Sequence, residues 1–428
     1  MQPQRTFQHI IANRDLRRRI LISIGLLVIF RIISHIPLPS VDVSGLRAFF
    51  ESNQVFGMLD LFSGGSVSRF SLALLGVGPY ITASIVFQLL TMVIPSLEAL
   101  SKEGEYGRQK INQYTRYATP LFAIVETLGL LRLLQSQGVI GQLDAWQTTL
   151  TLVTATGASV LLMWIGEIIS EKGIGNGISL IISLGIIAGL PPQITNLAQI
   201  VSGDTSAIIK AIIYLLIVLA MIVFIIWMNE AERRLPVTYA RRLRSSQTAT
   251  KIDSYLPIKV NSAGVIPIIF ATSLLVFPGI VAQLFLNARS AWLRETAQFV
   301  QTVMNNNYYY AILFFVLVVA FTFFYTSVIV KPNQIAENLQ KQGSFMPGIR
   351  PGQETSALIR TTVYRITSIG ALFLGLVSVL PYIMQSTATE FRALALSGTG
   401  ILIIVAVAIE TMNQIKSHMA TQSYEQYL

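Results

Sequence analysis

The stretch FGMLDLFSGGSVSRFSLALLGVGPYITASIVFQLL, residues 56–90, decides how the rest of the chain is read. A short apolar piece, Gly57 to Phe62, is broken at once by Ser63-Gly64-Gly65-Ser66. A second apolar run starts at Phe70 and is interrupted by Gly76, Gly78 and Pro79 before continuing to about Pro95. Glycine frees the backbone and proline removes a donor, so the stretch reads as a half-helix, a bend and a spanning helix. Bare backbone at membrane depth is tolerated only where protein buries it or water reaches it. The stretch therefore suits a folded-back element near the protein's axis. An outside loop followed by a helix with an irregular start fits the same residues.

Outward from this stretch the chain is apolar. Of its 428 residues 53% are hydrophobic and only 12% charged, with a mean hydropathy of +0.60. Soluble domains carry about 25% charged residues. Apolar runs recur near the ~20 residues that cross a bilayer, which predicts an all-α polytopic membrane protein. With no cysteine in the chain, disulfides, thiol nucleophiles and cysteine-ligated metals are excluded. His9, His35 and His418 are too scattered for a catalytic metal cluster, and no nucleotide-binding loop is present, so no cofactor is expected.

Ten spans are expected. Arg17-Arg18-Arg19 precede the first, from Ile20 to Ile36. It resembles a signal peptide, but its length, Arg31 within it and the lack of a small-x-small site argue for a retained span. After the opening element come spans at about 117–135, 149–169 and 177–190, the last preceded by Lys172-Gly173-Ile174-Gly175-Asn176-Gly177. A polar stretch to Lys210 leads to a sixth at about 211–228. The seventh, about 262–285, carries Gly264, Pro267 and Pro278-Gly279, and the eighth, about 308–330, opens with Tyr308-Tyr309-Tyr310. Spans at about 366–384 and 394–412 complete the set.

Lys and Arg crowd the segments on one side, among them Arg17, Lys102, Lys110, Arg233, Arg234, Lys251, Lys331, Arg350 and Lys416. The positive-inside rule then places both termini in the cytoplasm of a cell bounded by a plasma membrane. Spans one to five and six to ten form equal halves, 1–190 and 211–412, joined by a hinge at 191–210 and followed by a tail at 413–428. Five is odd, so the second half enters from the opposite side. In both halves the second span is the one broken by Gly and Pro, which points to a functional axis between inverted halves. No repeat of primary sequence is evident.

Ionisable groups within the spans are few: Glu126 and Arg132 in the third, Glu167 ending the fourth, Glu410 late in the tenth. A coupled transporter would place carboxylates or histidines near the midplane. The axis candidates are instead aliphatic. Val77 and Ile81 are four apart, as are Ile178 and Ile182, so each pair shares a helix face, an arrangement ordinary packing also produces. Nothing resembles a catalytic constellation.

Two long polar segments remain, Asn229 to Asn261 and Lys331 to Thr361. Arg241, Arg242 and Arg244 form a dense basic patch near Tyr239. Such charges either fix topology alone or dock something large and acidic, such as ribosomal RNA. In GSFMPGIRPG, residues 343–352, two Pro-Gly pairs flank Arg350 and hold it at a turn tip.

LFSGGSVSRFS, GVGPYITASIVFQLL, EGEYGRQKINQYTRY, EKGIGNGIS, LPIKVNSAGVIPIIFA and GSFMPGIRPG, spread over essentially the whole chain, together resemble the SecY family, the central subunits of the bacterial Sec translocon. The resemblance implies ten spans in two pseudo-symmetric inverted halves, an hourglass pore, and a lateral gate between spans two and three and spans seven and eight. It implies a plug at Met58, Leu59, Asp60, Leu61, Phe62, Ser63, Gly64, Gly65 and Ser66. It implies a hydrophobic pore ring of Val77, Ile81, Ile178, Ile182, Ile269 and Ile403, with valine at 77 where bacterial relatives often carry isoleucine. Arg350 falls on the family's partner-sensitive arginine, in one of two partner-contacting loops. The implied partners are the small membrane subunits SecE and SecG, the motor ATPase SecA, the ribosome, signal peptides and nascent chains, and membrane lipid. The implied activity is that of a protein-conducting channel that passes unfolded chains outward and releases hydrophobic helices into lipid. A secondary transporter with a midplane site and a membrane scaffold are the alternatives. The shortage of midplane carboxylates speaks against the first and the interrupted axial helices against the second.

Overall fold

The computed structural model describes residues 13–38, 66–67, 69–136, 138, 140–191, 195, 205–239, 254–286, 288–387 and 398–425. Helix α1 spans Arg14–Ile33. Its first amides are taken by the Asn13 side chain, which accepts from Asp15 N and Leu16 N at 3.1 and 3.3 Å, as an N-cap should. Helix α2, Gly78–Val93, turns by 100° into α3, Pro95–Lys102, because Pro95 cannot continue the ladder of α2. Helices α4, Glu105–Ser136, and α5, Ala145–Lys172, follow; the second opens on an Asp144/Gln147 capping box. Helix α6, Gly177–Ala188, is short, and α7 runs from Thr205–Glu230, starting inside the stretch read as a polar hinge.

In the second half α8 spans Ile266–Phe285, α9 Ala291–Asn305, α10 Asn307–Ile329 and α11 Pro332–Lys341. Helices α12, Gln353–Thr387, and α13, Gly398–Glu425, complete the order. A helix thus lies at each of the ten expected spans. Among the described residues six helices are long and apolar enough to cross a membrane, seven if the bent α2–α3 pair is one span; α6 and Ile266–Ala282 of α8 are shorter apolar helices. Several helices outrun their apolar windows. The third span's helix begins at Glu105, the ninth's at Gln353, and the tenth's continues to Glu425. Helix α9, amphipathic with Trp292 and Phe299 exposed, is an element that hydropathy did not reveal.

The two long polar segments are not separate loops. Strands β1, Glu232–Tyr239, and β2, Ser254–Lys259, form an antiparallel hairpin, with Glu232 opposite Lys259 and Val237 opposite Ser254. Strand β3, Ser344–Phe345, joins the other edge of β1, giving the order β2-β1-β3. Leu235, Val237, Ile258, Met346, Ile359 and Val363 close a small core of their own beneath the sheet. At its base Asn261 Nδ2 donates to Asn229 Oδ1 across 2.8 Å, a buried amide pair that pins the ends of the hairpin together.

The opening stretch resolves in favour of buried irregular backbone. Residues 69–77 are not helical, yet Phe70, Ala73, Leu74, Leu75 and Val77 are all buried. Backbone groups here are paired within tight turns and with the segment that follows α1. Gly76 N donates to Ala73 O and Gly78 N to Leu75 O, while Leu38 N donates to Phe70 O and Leu72 N to Ile36 O. Such pairing is what non-helical backbone inside a membrane protein requires. The half-helix expected at Gly57 to Phe62 lies outside the described residues.

Candidate functional site

Two helix starts build the site. Gly76 has φ 55°, Val77 has φ −95° and ψ 7°, and Pro79 sits in the first turn of α2, where its missing donor costs nothing. Gly264 has φ 64°, Val265 has φ −94° and ψ −10°, and Pro267 sits in the first turn of α8. The sequences are GVGPYI at 76–81 and GVIPII at 264–269. The halves therefore do carry a local repeat, six residues long, that a scan of the whole chain passes over. In both copies a left-handed glycine, which only glycine adopts cheaply, turns the chain into the helix. The residue two after the proline is the expected ring member, Ile81 in one copy and Ile269 in the other.

Helix α6 supplies Ile178 and Ile182, set by an Asn176 cap whose Oδ1 accepts from Ser179 N at 3.2 Å. Helix α13 supplies Ile403. The structure gathers all six expected ring residues into one apolar cluster. Val77, Ile81, Ile182, Ile269 and Ile403 are buried in it, and Ile178 packs against it half-buried. Val77, Ile81, Ile182 and Ile269 share the wall of one small cavity of about 60 Å³.

Beside the aliphatic residues the cavity wall also holds an acidic side chain. Glu126 of α4 is buried and reaches the cavity beside Thr82 of α2, Thr272 and Ser273 of α8, and Phe277. The Thr82 hydroxyl lies 3.0 Å from Glu126 Oε1 and 3.2 Å from the Gly78 carbonyl. The signal for this residue was present in the sequence. Thr119, Ala123, Glu126 and Leu130 follow helical spacing and form one buried face, so the acidic side chain sits on the apolar side of α4. Arg132, by contrast, is exposed.

Around this point α8 packs against both α4 and α2. Phe122 and Phe277 meet edge to face at 5.6 Å between centroids. Two turns along, a side chain at Gly129 would come within 2.9 Å of the Ile280 carbonyl, so the glycine permits backbone-close packing of α4 on α8. This seam lies where the resemblance put a lateral gate.

Of the expected plug only Ser66 is described. It is buried, and its carbonyl accepts from Ser71 N at 2.9 Å. Met58 to Gly65 lie outside the described residues, as do Arg241, Arg242 and Arg244. Arg350 is exposed on the turn between β3 and α12. Its N–H donates to Glu354 Oε2 at 3.3 Å and its carbonyl accepts from the Thr355 hydroxyl at 2.9 Å, so the backbone is fixed while the guanidinium faces outward. Gly348 and Gly352, at φ 80° and 102°, shape the turn. On neighbouring α11 the Lys341 ammonium, hydrogen-bonded to Glu337 at 2.7 Å, holds that carboxyl below its usual range. On β1 the Arg234 guanidinium lies over the Tyr255 ring, 4.7 Å from its centroid. Among the described residues no group of three or more His, Cys, Asp or Glu could hold a metal ion.

A family model described as SecY matches residues 71–412, a range that contains the six ring residues, Glu126 and Arg350. The chain belongs to the SecY family. It is similar to the protein translocase subunit SecY of Halalkalibacterium halodurans, 38% identical over 434 residues that cover 99% of each chain. It is similar also to that of Escherichia coli strain K12, 39% identical over 425 residues, 97% of this chain and 94% of the relative. Among solved structures it shares the fold of a protein conducting channel, with a TM-score of 0.66 at 18% identity, covering 94% of this chain and 92% of the other. It also shares the fold of Sec61 in the canine ribosome-channel complex from the endoplasmic reticulum, with a TM-score of 0.63 at 18% identity and the same coverage. With its apolar helices, membership of this bacterial family makes the chain a multi-pass protein of the plasma membrane.

Proposed function

We propose that the chain forms a protein-conducting channel, passing unfolded polypeptides outward and releasing hydrophobic helices sideways through the seam between α2–α4 and α8–α10. The observation that carries this reading is the convergence of Val77, Ile81, Ile178, Ile182, Ile269 and Ile403, from four helices of both halves, in one apolar cluster. A constriction of aliphatic side chains blocks ions by dewetting and parts around any sequence, because it offers no hydrogen bond that a passing chain must match. The halves divide at 191–210, with both termini in the cytoplasm. The Met58–Ser66 segment acts as a plug on the outer side. The hairpin and the Arg350 turn form one cytoplasmic docking face for SecA or the ribosome, extended by Arg241, Arg242 and Arg244, and SecE and SecG complete the membrane complex.

Glu126 gives the transporter reading its one supporting observation. A cavity of about 60 Å³ has room for a water or two but not for a transported solute, and its carboxylate is already engaged by Thr82. The channel reading fits better.

The test is single-channel current in planar bilayers without substrate. Replacing Ile81, Ile182 and Ile269 together by Gly should open a resting ion conductance at least about tenfold above wild type, since ~1.4 kcal/mol lost from the closed state already shifts the balance tenfold. Silent triple variants that export normally would remove these residues from the pore. For the docking face, Arg350→Glu should abolish motor-driven export while leaving that current and complex assembly unchanged, because an exposed turn-tip charge supports no core. Normal ATP-driven export by the variant would count against it.

A further inference from the structure

Helix α6 has only 12 residues, about 18 Å of helix against the ~30 Å of a hydrocarbon core. Its depth in the membrane is therefore not fixed by matching its own length to the bilayer. Something must hold the level of Ile178 and Ile182. At the end nearest Lys172, two bonds anchor the start of α6 within its own half, and a third, to the other half, sets its level against Ile403. The Gly173 amide closes the ladder of α5 on Ile169 O, but the amides of Ile174, Gly175 and Gly177 are taken instead by side chains of three different helices. Ile174 N donates to Ser23 Oγ of α1 at 2.9 Å, Gly177 N to Ser170 Oγ of α5 at 2.8 Å, and Gly175 N to Gln414 Oε1 of α13 at 2.8 Å. Ser23 and Ser170 belong to the same half as α6. Gln414 belongs to the other.

The contact is close as well as bonded. Gly175 has φ 88°, and a side chain there would come within 3.1 Å of Thr411 Oγ1. On α13 the residues Ile403, Val407, Thr411 and Gln414 follow one another at helical spacing, so a single stripe carries a ring residue at one end and the amide acceptor at the other. Ile403 and Val407 are buried in the cluster that also holds Ile182. The hydrogen bond at Gly175 thus fixes the register of α6 against α13, and with it the level at which Ile178 and Ile182 meet Ile403.

We infer that Gln414 is a positioning residue of the closed channel, a tie between the two halves that sets the aliphatic constriction in register through the Gly175 amide. It acts where α13 packs against both α6 and α7. This rests on the reading of the aliphatic cluster as the seal.

The experiment compares Gln414→Met, Gln414→Glu and Ser23→Ala in the assembled channel, with Ile182→Ser as the positive control. Gln414→Met keeps the length and removes the acceptor. Loss of one neutral hydrogen bond should raise resting open probability about fivefold, and raise by a similar factor the export of a substrate with a defective signal sequence. Gln414→Glu retains an acceptor oxygen and should behave as wild type. Ser23→Ala removes an acceptor from the same turn without touching the link between halves, so it should stay closed. Should Gln414→Met not accumulate, Gln414→Ala reads the same loss. A Gln414→Met channel as tight and selective as wild type, while Ile182→Ser leaks, overturns the tie and leaves the seal standing. Leakage of Ser23→Ala or Gln414→Glu equal to that of Gln414→Met overturns it too. A silent Ile182→Ser beside a silent Gln414→Met condemns the seal reading itself.

Discussion

Gly76-Val77-Gly78-Pro79 leads into α2 and Gly264-Val265-Ile266-Pro267 into α8, with nearly the same backbone at the valine and the same place for the next ring isoleucine. One residue further on the copies part. After Ile81 comes Thr82, whose hydroxyl meets the buried carboxylate of α4 at 3.0 Å. After Ile269 comes Phe270, which meets Phe321 and Tyr325 of α10 edge to face at 6.0 and 5.9 Å between centroids. In each half the interrupted helix is thus braced against the span that follows it, by a polar contact in one and by aromatic packing in the other. The entry turn is common because it has a geometric task. The brace differs because either chemistry can hold two helices side by side. Aromatic packing draws most of its strength from buried area, which is nondirectional, and so tolerates some sliding. A buried hydrogen bond is satisfied in one arrangement only.

If that contrast is correct, the aromatic brace carries more stability. Phe270 is buried and wedged between two rings, so truncation leaves a large void. Phe270→Ala should cost about 3 kcal/mol or more, read as a lowered unfolding midpoint of the purified protein in detergent. Phe270→Leu should recover most of it, because volume matters more than the ring's edge. A Phe270→Ala protein as stable as wild type would mean that α8 and α10 are held elsewhere.

How much of this was legible beforehand differs by element. The spans were, because some twenty apolar residues leave few other fates. Their polar extensions were not: residues 105–116 and 353–365 are helical without being hydrophobic, and hydropathy is blind to them. The three-stranded sheet escaped because β1 is studded with charge, Glu232, Arg233 and Arg234, and pairs with β3 across more than a hundred residues. Val77 and Ile81, read from spacing alone, could not be told from ordinary packing; the resemblance to a family named them as a ring, and the fold brings them to Ile182 and Ile403. In the sequence Glu126 reads as a charge and not as a position, since its helical face becomes meaningful only once Thr82 is known to lie opposite.

The polar brace should show a smaller effect and a sharper one. The Thr82 hydroxyl has a single proton and two acceptors within reach, the Gly78 carbonyl at 3.2 Å and Glu126 Oε1 at 3.0 Å. Thr82→Val keeps the shape and removes the hydroxyl, leaving a buried carboxyl among Ile81, Ile269 and Phe277 without its partner on α2. Hydrogen bonds between helices in lipid average about 0.6 kcal/mol and reach about 1.7, so a loss near 1 kcal/mol is expected, well below that of Phe270→Ala. The pattern across variants tests the idea more stringently than the size. Glu126→Gln should cost little, because its amide can donate to the Thr82 oxygen and free that hydroxyl for Gly78. Glu126→Leu alone should leave Thr82 its backbone acceptor and cost less than Thr82→Val. The double variant Thr82→Val with Glu126→Leu should regain stability over Thr82→Val, since an apolar pair of similar shape replaces a half-satisfied polar one. A double-mutant cycle with no coupling between 82 and 126 would show that the two side chains only share a wall, and the contrast between the halves would then reduce to packing on both sides.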